Sequence, residues 1–309
     1  MDEIPSDTGI IDSLLKKPFK STFVGSGSFG TVMRITDLTT GIDYAMKIID
    51  LNEPNEIQRT NHYNLIKHEI NILKKLTLSG SKYFPIYLDY KVMRNANGVN
   101  AIKILMEYIK GEELFDFVNS KQFKKLDSND RNTLIKNISL DILKAIQVLH
   151  HNHIAHRDLK LENIKIDFIH PSAKITTIHV IDFGLSCDID NTHKIYSEYA
   201  KKKVGTPEYM SPQVIENQMN RSQNWKSEYL MASDIWSFGV ILYVMVYNNY
   251  PFGSRNSKGD SRLLDSNIKN YSKIKYPFVS EFQSIFDRIF VNYHHRITVN
   301  DAIDILQSV

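Results

Sequence analysis

The sequence predicts an α+β fold in which strands come first and helices follow, with room for two lobes. Three observations carry this. Residues from Lys20 to about Ile49 are β-prone and interrupted by a glycine-rich turn. From Ser128 to His151, apolar residues recur every three or four positions, the period of a helix face. From Ser233 to about Val246 the chain is almost wholly apolar, the pattern of a helix buried on every side. With 309 residues, the chain can form one large domain or two lobes with separate cores.

Composition narrows the function classes. The chain is 42% apolar and 24% charged, which is ordinary globular composition. A net charge of +3 and a pI near 8.6, with the basic residues scattered, do not point to nucleic acid. The run Lys201-Lys202-Lys203 reads as a solvated loop. The single cysteine, Cys187, excludes an intrachain disulfide and a cysteine-rich metal site, and it fits a reducing compartment. No apolar run is expected to reach the length of a membrane span, and the acidic, polar stretch Met1 to Thr8 does not read as a signal peptide. The expectation is a soluble, monomeric, cytoplasmic or nuclear protein with no membrane and no nucleic-acid partner.

In chain order, residues 1–18 read as a short polar lead with one turn of helix. Gly25-Ser26-Gly27-Ser28-Phe29-Gly30 then joins two strand candidates. A dinucleotide-binding fold needs a helix to open at the third glycine. Here Thr31-Val32-Met33-Arg34-Ile35 continues as strand, and the glycines would let backbone approach phosphates with no Cβ in the way. In Tyr44-Ala45-Met46-Lys47-Ile48-Ile49, period two places Ala45 and Lys47 on one face and Tyr44, Met46 and Ile48 on the other. A lysine in an apolar strand either lies on an exposed edge face or needs a partner. Glu69 lies along the apolar stripe of Leu65, Ile66, Ile70, Leu73 and Leu76 on a helix predicted from Thr60 to Thr77, after a linker from Glu53 to Thr60. Strands follow at about Ile86–Met93 and Ala101–Met106. The helix from Ser128 to His151 leads to His156-Arg157-Asp158-Leu159-Lys160-Leu161-Glu162-Asn163. Ile164 to Asp167 and Ile178 to Ile181 read as strands around an expanded hairpin loop, and residues 185–204 as a mobile segment. Helical pieces near Leu263, Phe282–Phe290 and Val299–Leu306 complete the chain.

The stretch from His156 to Asn163 places a carboxylate, an ammonium and a carboxamide at i, i+2 and i+5, a spacing suited to a tight loop. Asp158 can accept a proton, Lys160 can neutralise a phosphate, and Asn163 can hold a divalent cation. Ile181-Asp182-Phe183-Gly184 offers a second metal carboxylate. With the glycine turn and Lys47, these segments resemble the catalytic domain of eukaryotic protein kinases of serine/threonine type, from about Phe19 to the C-terminus. The pattern is most similar to the calmodulin-dependent-kinase-like branch. The resemblance implies a two-lobed protein-kinase-like fold, with a small β-rich N-lobe of about residues 19–108 carrying one key helix and a larger, mainly helical C-lobe of about 109–309. It implies that ATP and Mg²⁺ bind between the lobes and that the γ-phosphoryl passes to Ser or Thr of protein substrates.

Roles follow from the resemblance. Asp158 would orient the acceptor hydroxyl and take its proton, and Lys160 would stabilise γ-phosphate charge. Asn163 and Asp182 would ligate Mg²⁺. Thr206, in Gly205-Thr206-Pro207, would pack against Asp158 and Lys160. Gly25, Ser26, Gly27, Ser28, Phe29, Gly30 and Val32 would cover the nucleotide, and Lys47, paired with Glu69, would anchor its α- and β-phosphates. Ala45, Met106 as gatekeeper, Glu107 to Ile109, Glu113 and Lys165 would complete the nucleotide site. His156 and Phe183 are read as packing groups.

Three departures from the family stand out. Gln213 replaces the glutamate that pairs with an arginine, here Arg296, so tethering of the preceding loop should weaken. Lys202 occupies the commonest phosphorylated threonine position, so the loop should order without phosphate or through Ser197, Tyr196 or Tyr199. Lys165 replaces an apolar residue under adenine. Glu113 and Glu162 match positions that read an upstream arginine, and Val244 replaces a third acid, which implies a mild preference for one upstream basic residue. The rival reading is a pseudokinase-type scaffold binding nucleotide or protein partners. Lys47, Glu69, Asp158, Lys160, Asn163 and Asp182 are all present and argue against it.

Overall fold

A computed structural model of the chain describes residues 9–27, 30–95, 98–168, 176–190, 198–216, 228–255 and 260–308. The chain divides into two compact units after Ile109.

The first unit is built on five antiparallel strands: β1 (Phe19–Gly27), β2 (Gly30–Asp37), β3 (Asp43–Asp50), β4 (Tyr87–Asn95) and β5 (Gly98–Glu107). Their order is β1-β2-β3-β5-β4. The alternation in β3 gives the sheet two working faces. Met46 packs with Ile35 and Leu105 on one, and Lys47 meets helix α2 (Glu56–Leu78) on the other. An apolar face of this kind needs a cover, and helix α1 (Ile10–Lys16) supplies it by burying Ile11 and Leu14 against that cluster. The buried Asp89 carboxylate accepts the Ile11 N–H at 3.0 Å and fixes where α1 lands. The expected single turn is therefore a docked seven-residue helix. Helix α2 also begins earlier than Thr60. Asn55 caps it, its side chain accepting the Gln58 N–H at 2.9 Å, which shortens the expected linker.

The second unit carries short strands β6 (Glu112–Glu113), β7 (Ile154–Ala155), β8 (Ile164–Phe168), β9 (Thr176–Val180) and β10 (Cys187–Asp188). It also has helices α3 (Leu114–Asn119), α4 (Lys121–Lys124), α5 (Ser128–His151), α6 (Pro212–Ile215), α7 (Glu228–Tyr247), α8 (Arg262–Lys269), α9 (Gln283–Ile289) and α10 (Val299–Ser308). β8 and β9 form the expected hairpin, in register from Ile164↔Val180 to Phe168↔Thr176. Residues 169–175 of its loop lie outside the described residues.

Helix α7 corrects one expectation. At 20 residues and mean hydropathy 1.6 it is long and apolar enough to cross a membrane by composition. Here it packs against α5 and α9, and Trp236 on it stacks on Phe252 at 5.3 Å and meets Phe290 edge-on at 5.1 Å. The segment 185–204, expected to be mobile, is tied down where it is described: β10 pairs with β7, and Tyr199 and Ala200 are buried. Residues 191–197 lie outside the described residues.

Candidate active site

One buried carboxylate in the apolar helix α7 shapes the loop after α5. Asp234 is buried, and it accepts the backbone N–H groups of His156 and Arg157, each at 2.9 Å, and His150 Nε2 at 3.1 Å. These bonds hold Arg157 in the left-handed region at φ 68°, which is uncommon for a residue with a side chain. His156 is fully buried. Its Nδ1 accepts the Asp158 N–H at 3.3 Å, so Nε2 bears the proton and points it at the Ile181 carbonyl, 3.4 Å away. Its ring lies 5.3 Å from that of Phe183. Both groups pack; neither faces chemistry.

The loop delivers Asp158 to a polar cluster, where its side chain is largely buried. Oδ1 accepts the backbone N–H and the hydroxyl of Thr206, both at 2.8 Å. Oδ2 meets Lys160 Nζ at 3.0 Å and Asn163 Nδ2 at 3.1 Å. Lys160 also donates to Thr206 Oγ1 at 3.0 Å. A hydroxyl has one proton, so Thr206 gives it to Asp158 and receives from Lys160. Gly205 makes this approach feasible: at φ 115° a Cβ there would lie 2.7 Å from the Arg157 carbonyl oxygen. The structure thus brings Asp158, Lys160, Asn163 and Thr206 together from chain segments more than 40 residues apart.

Asn163 and Asp182 sit at one end of the β8–β9 hairpin. Asn163 directly precedes β8, and the Ile181 N–H donates to its carbonyl oxygen at 2.9 Å. Asn163 turns its amide nitrogen to the Asp158 main chain, 2.9 Å from the carbonyl oxygen, so its side-chain oxygen faces away from Asp158. Asp182 adopts φ 63° and accepts the Gly184 N–H at 3.3 Å. A carboxamide oxygen and a carboxylate are hard donors that suit magnesium, whose remaining ligands are waters and phosphate oxygens. The donor set fits that ion.

Arg157 ties the following segment. Its guanidinium donates to the carbonyls of Tyr199 at 3.2 Å, Lys202 at 2.9 Å and Leu185 at 3.4 Å, and lies over the Tyr199 ring at 5.1 Å. The Tyr199 hydroxyl donates to the Gly184 carbonyl at 3.1 Å. Of the expected modification sites, Tyr199 is buried, and Ser197 and Tyr196 lie outside the described residues.

Gln213, which stands where the family has the glutamate paired with Arg296, does not hydrogen-bond that arginine. Gln213 Nε2 instead donates to Ser233 Oγ at 3.2 Å. Arg296 donates to the carbonyls of Ala232, Val291 and Ile289 at 2.7–2.9 Å and lies 4.9 Å over Trp236. Burial pushes the guanidinium's pKa down to about 9. Lys165 Nζ lies 3.9 Å from Glu113 Oε1, its neighbour across the β6–β8 ladder, so its ammonium turns aside onto an acid.

In the first unit, Lys47 Nζ donates to Glu69 Oε1 at 2.6 Å, with both side chains nearly buried. The lysine is therefore paired, which removes the edge-face alternative. Val32 faces Lys47 across the β2–β3 ladder, and Ala45 faces Met106 across β3–β5. The Glu107 N–H is engaged by the Ile86 carbonyl at 2.8 Å, and Ile109 is buried. A Cβ at Gly25 or Gly27 would meet nothing within 4 Å. Gly30 differs: at φ 112° a Cβ would lie 2.3 Å from the Ile48 carbonyl oxygen, so packing alone requires glycine there. Ser26 lies on β1, and Ser28 and Phe29 fall outside the described residues.

The sequence reading missed Asp234. Its signal was there: a lone carboxylate in a helix apolar all round must have buried donors to meet.

Residues 20–307 match the protein kinase domain. The chain is 29% identical over 281 residues to a death-associated protein kinase of Caenorhabditis elegans, covering 91% of this chain and 17% of that protein. It is 28% identical to human death-associated protein kinase 2, covering 90% of this chain and 65% of the relative. It is 30% identical to calcium-dependent protein kinase 4 of Plasmodium falciparum, covering 86% and 43%. The chain thus spans less than two thirds of the length of these curated relatives.

Proposed function

We infer that this chain, which belongs to the protein kinase domain family, transfers the γ-phosphoryl group of ATP to serine and threonine hydroxyls of protein substrates. One observation carries the reading: the Asp158 carboxylate is buried yet bonded on both oxygens, with a lysine and a threonine hydroxyl fixed beside it.

Asp158 orients the acceptor hydroxyl and takes its proton as the new oxygen–phosphorus bond forms and the bond to the β–γ bridging oxygen breaks, releasing ADP. Lys160 holds its ammonium where charge develops on the transferred group. Thr206 keeps both in register, so little reorganisation accompanies the transfer. Magnesium, when bound by Asn163 and Asp182, supplies neutralisation of phosphate charge. Lys47, fixed by Glu69, offers an ammonium to the α- and β-phosphates. Gly25, Ser26 and Gly27 offer backbone to the nucleotide, and no side chain stands where a Cβ on either glycine would lie. The Glu107 carbonyl and the Ile109 backbone are assigned to adenine.

Substrates with one upstream basic residue form part of the proposal. A monomeric, cytoplasmic or nuclear protein working without membrane or nucleic acid is also part of it, supported by the modest net charge and the buried packing of α7. The kinship with death-associated and calcium-dependent kinases supports a place in the calmodulin-dependent-kinase-like branch.

Transfer of labelled γ-phosphate to serine- and threonine-containing peptide pools tests the reading. Asp158→Asn is expected to reduce transfer at least about 100-fold, the scale of losing a general base. Undiminished transfer by that variant would overturn the assignment.

A further inference from the structure

Arg157 meets an aromatic ring and main-chain carbonyls, and the same ring carries a hydroxyl that reaches the turn of the metal carboxylate. Tyr199 is 8% exposed. The Arg157 guanidinium sits 5.1 Å from its ring centre and donates to its carbonyl at 3.2 Å, and the Lys202 ammonium lies 5.9 Å from the same ring centre. The face of an aromatic ring carries negative potential, so a cation can be balanced there without a phosphate. The phenol reaches further. Its hydroxyl donates at 3.1 Å to the carbonyl of Gly184, 15 residues earlier in the chain. Gly184 is thereby held on both sides, since its N–H donates to Asp182 Oδ1 at 3.3 Å. That turn needs holding. Asp182 stands at φ 63°, a conformation that a residue with a side chain keeps only when its surroundings over-determine it. Around it, the Ser186 N–H donates to the Phe183 carbonyl at 3.0 Å and Arg157 donates to the Leu185 carbonyl at 3.4 Å. Bonds of this outer kind aim a metal ligand without touching the metal.

We propose that Tyr199 is a positioning residue for Asp182: its hydroxyl fixes the turn that presents the metal carboxylate, while its ring occupies the guanidinium that a phosphate would otherwise claim. This rests on the kinase reading and deepens it. One side chain joins the catalytic loop to the metal segment, with Arg157 packed on its ring and Gly184 bonded to its hydroxyl. The sequence leaves Tyr199 as a candidate phosphorylation site. A buried hydroxyl already committed as a donor does not serve as one in the active fold. A phosphoryl group on that oxygen would remove the proton that Gly184 receives and set negative charge against a carbonyl.

The test is the free Mg²⁺ concentration that half-saturates binding of a non-hydrolysable ATP analogue, read by calorimetry beside kcat, peptide KM and melting temperature. Tyr199→Phe keeps the ring and loses the hydroxyl. It is expected to raise that Mg²⁺ concentration about three- to tenfold, the scale of one neutral hydrogen bond, and to leave peptide KM and kcat at saturating Mg²⁺ within about twofold of wild type. Tyr199→Leu, which also takes the ring from Arg157, should show the same metal shift and raise peptide KM about threefold in addition. An unchanged Mg²⁺ requirement in a folded Tyr199→Phe variant, or lower melting with no metal shift, would overturn the proposal. Phosphopeptide mapping of active wild type needs no variant and decides the matter should both variants melt early. Tyr199 is expected to be unmodified, and stoichiometric phosphate on it would overturn the proposal. Wild type that binds no nucleotide analogue at any Mg²⁺ concentration would instead count against the kinase reading itself.

Discussion

Thr206→Ala removes one hydroxyl and two hydrogen bonds, and the structure sets the size of the effect. The hydroxyl donates to Asp158 Oδ1 at 2.8 Å and accepts from Lys160 Nζ at 3.0 Å. Hydrogen bonds to charged groups contribute about 1.5–3 kcal/mol each. Not all of that is lost, because Asp158 Oδ1 keeps the Thr206 N–H and Lys160 keeps Asp158 Oδ2. A net loss of about one such bond, borne where the phosphoryl group moves, corresponds to a fall in kcat of about 10- to 100-fold. Thr206→Ser keeps the hydroxyl and should stay within about threefold of wild type, since only a methyl group is removed. The assay is steady-state transfer to a serine peptide at saturating ATP, with melting temperature measured in parallel. If Ala matches wild type, or Ser falls as far as Ala, the hydroxyl does not hold Asp158 and Lys160 together and the reasoning fails.

Four further outcomes are expected. Because Arg157 already bonds main-chain carbonyls of Leu185, Tyr199 and Lys202, phosphatase treatment should leave most transfer activity, and a loss above about tenfold would contradict a phosphate-independent loop. Arg296→Lys should destabilise by about 3 kcal/mol in urea unfolding, because a lysine cannot serve three carbonyls in fixed directions, and a shift below about 1 kcal/mol would refute that. Gly30→Ala should lower the melting temperature by several degrees through the clash with the Ile48 carbonyl, while Gly27→Ala should leave melting unchanged and raise KM for ATP. The reverse pattern would show that Gly30 is not a packing requirement. Lys165→Leu, freed of its bond to Glu113, should tighten ATP binding a few-fold by titration; weaker binding would assign Lys165 to the nucleotide.

Local chemistry made most of the second unit's site readable. Asp158, Lys160 and Asn163 lie within six consecutive residues, and the tight loop that their spacing suggested is what Asp234 holds in place. The pairing of Lys47 with Glu69 was readable because an ammonium and a carboxylate both stood on apolar faces, and burial without pairing is costly. Other features depended on geometry that no local pattern carries. Helix α1 is too short for periodicity to register; only the uncovered face of Met46 and Ile35 gives it a reason to dock. Gln213 turned to Ser233 because a neighbouring hydroxyl satisfied its amide, while carbonyls within α7 and at the end of α9 satisfied Arg296. Arg157 found main-chain carbonyls in place of phosphate, which the identity of Lys202 alone could not reveal.

The claim that Asp158, Lys160 and Thr206 direct phosphate to aliphatic hydroxyls meets its most direct test in the phosphoamino-acid composition of a labelled mixed peptide pool. Phosphoserine and phosphothreonine should account for nearly all the label, and Asp158→Asn should reduce both at least about 100-fold. Label found mainly on tyrosine, or label on serine that persists in Asp158→Asn, would contradict it.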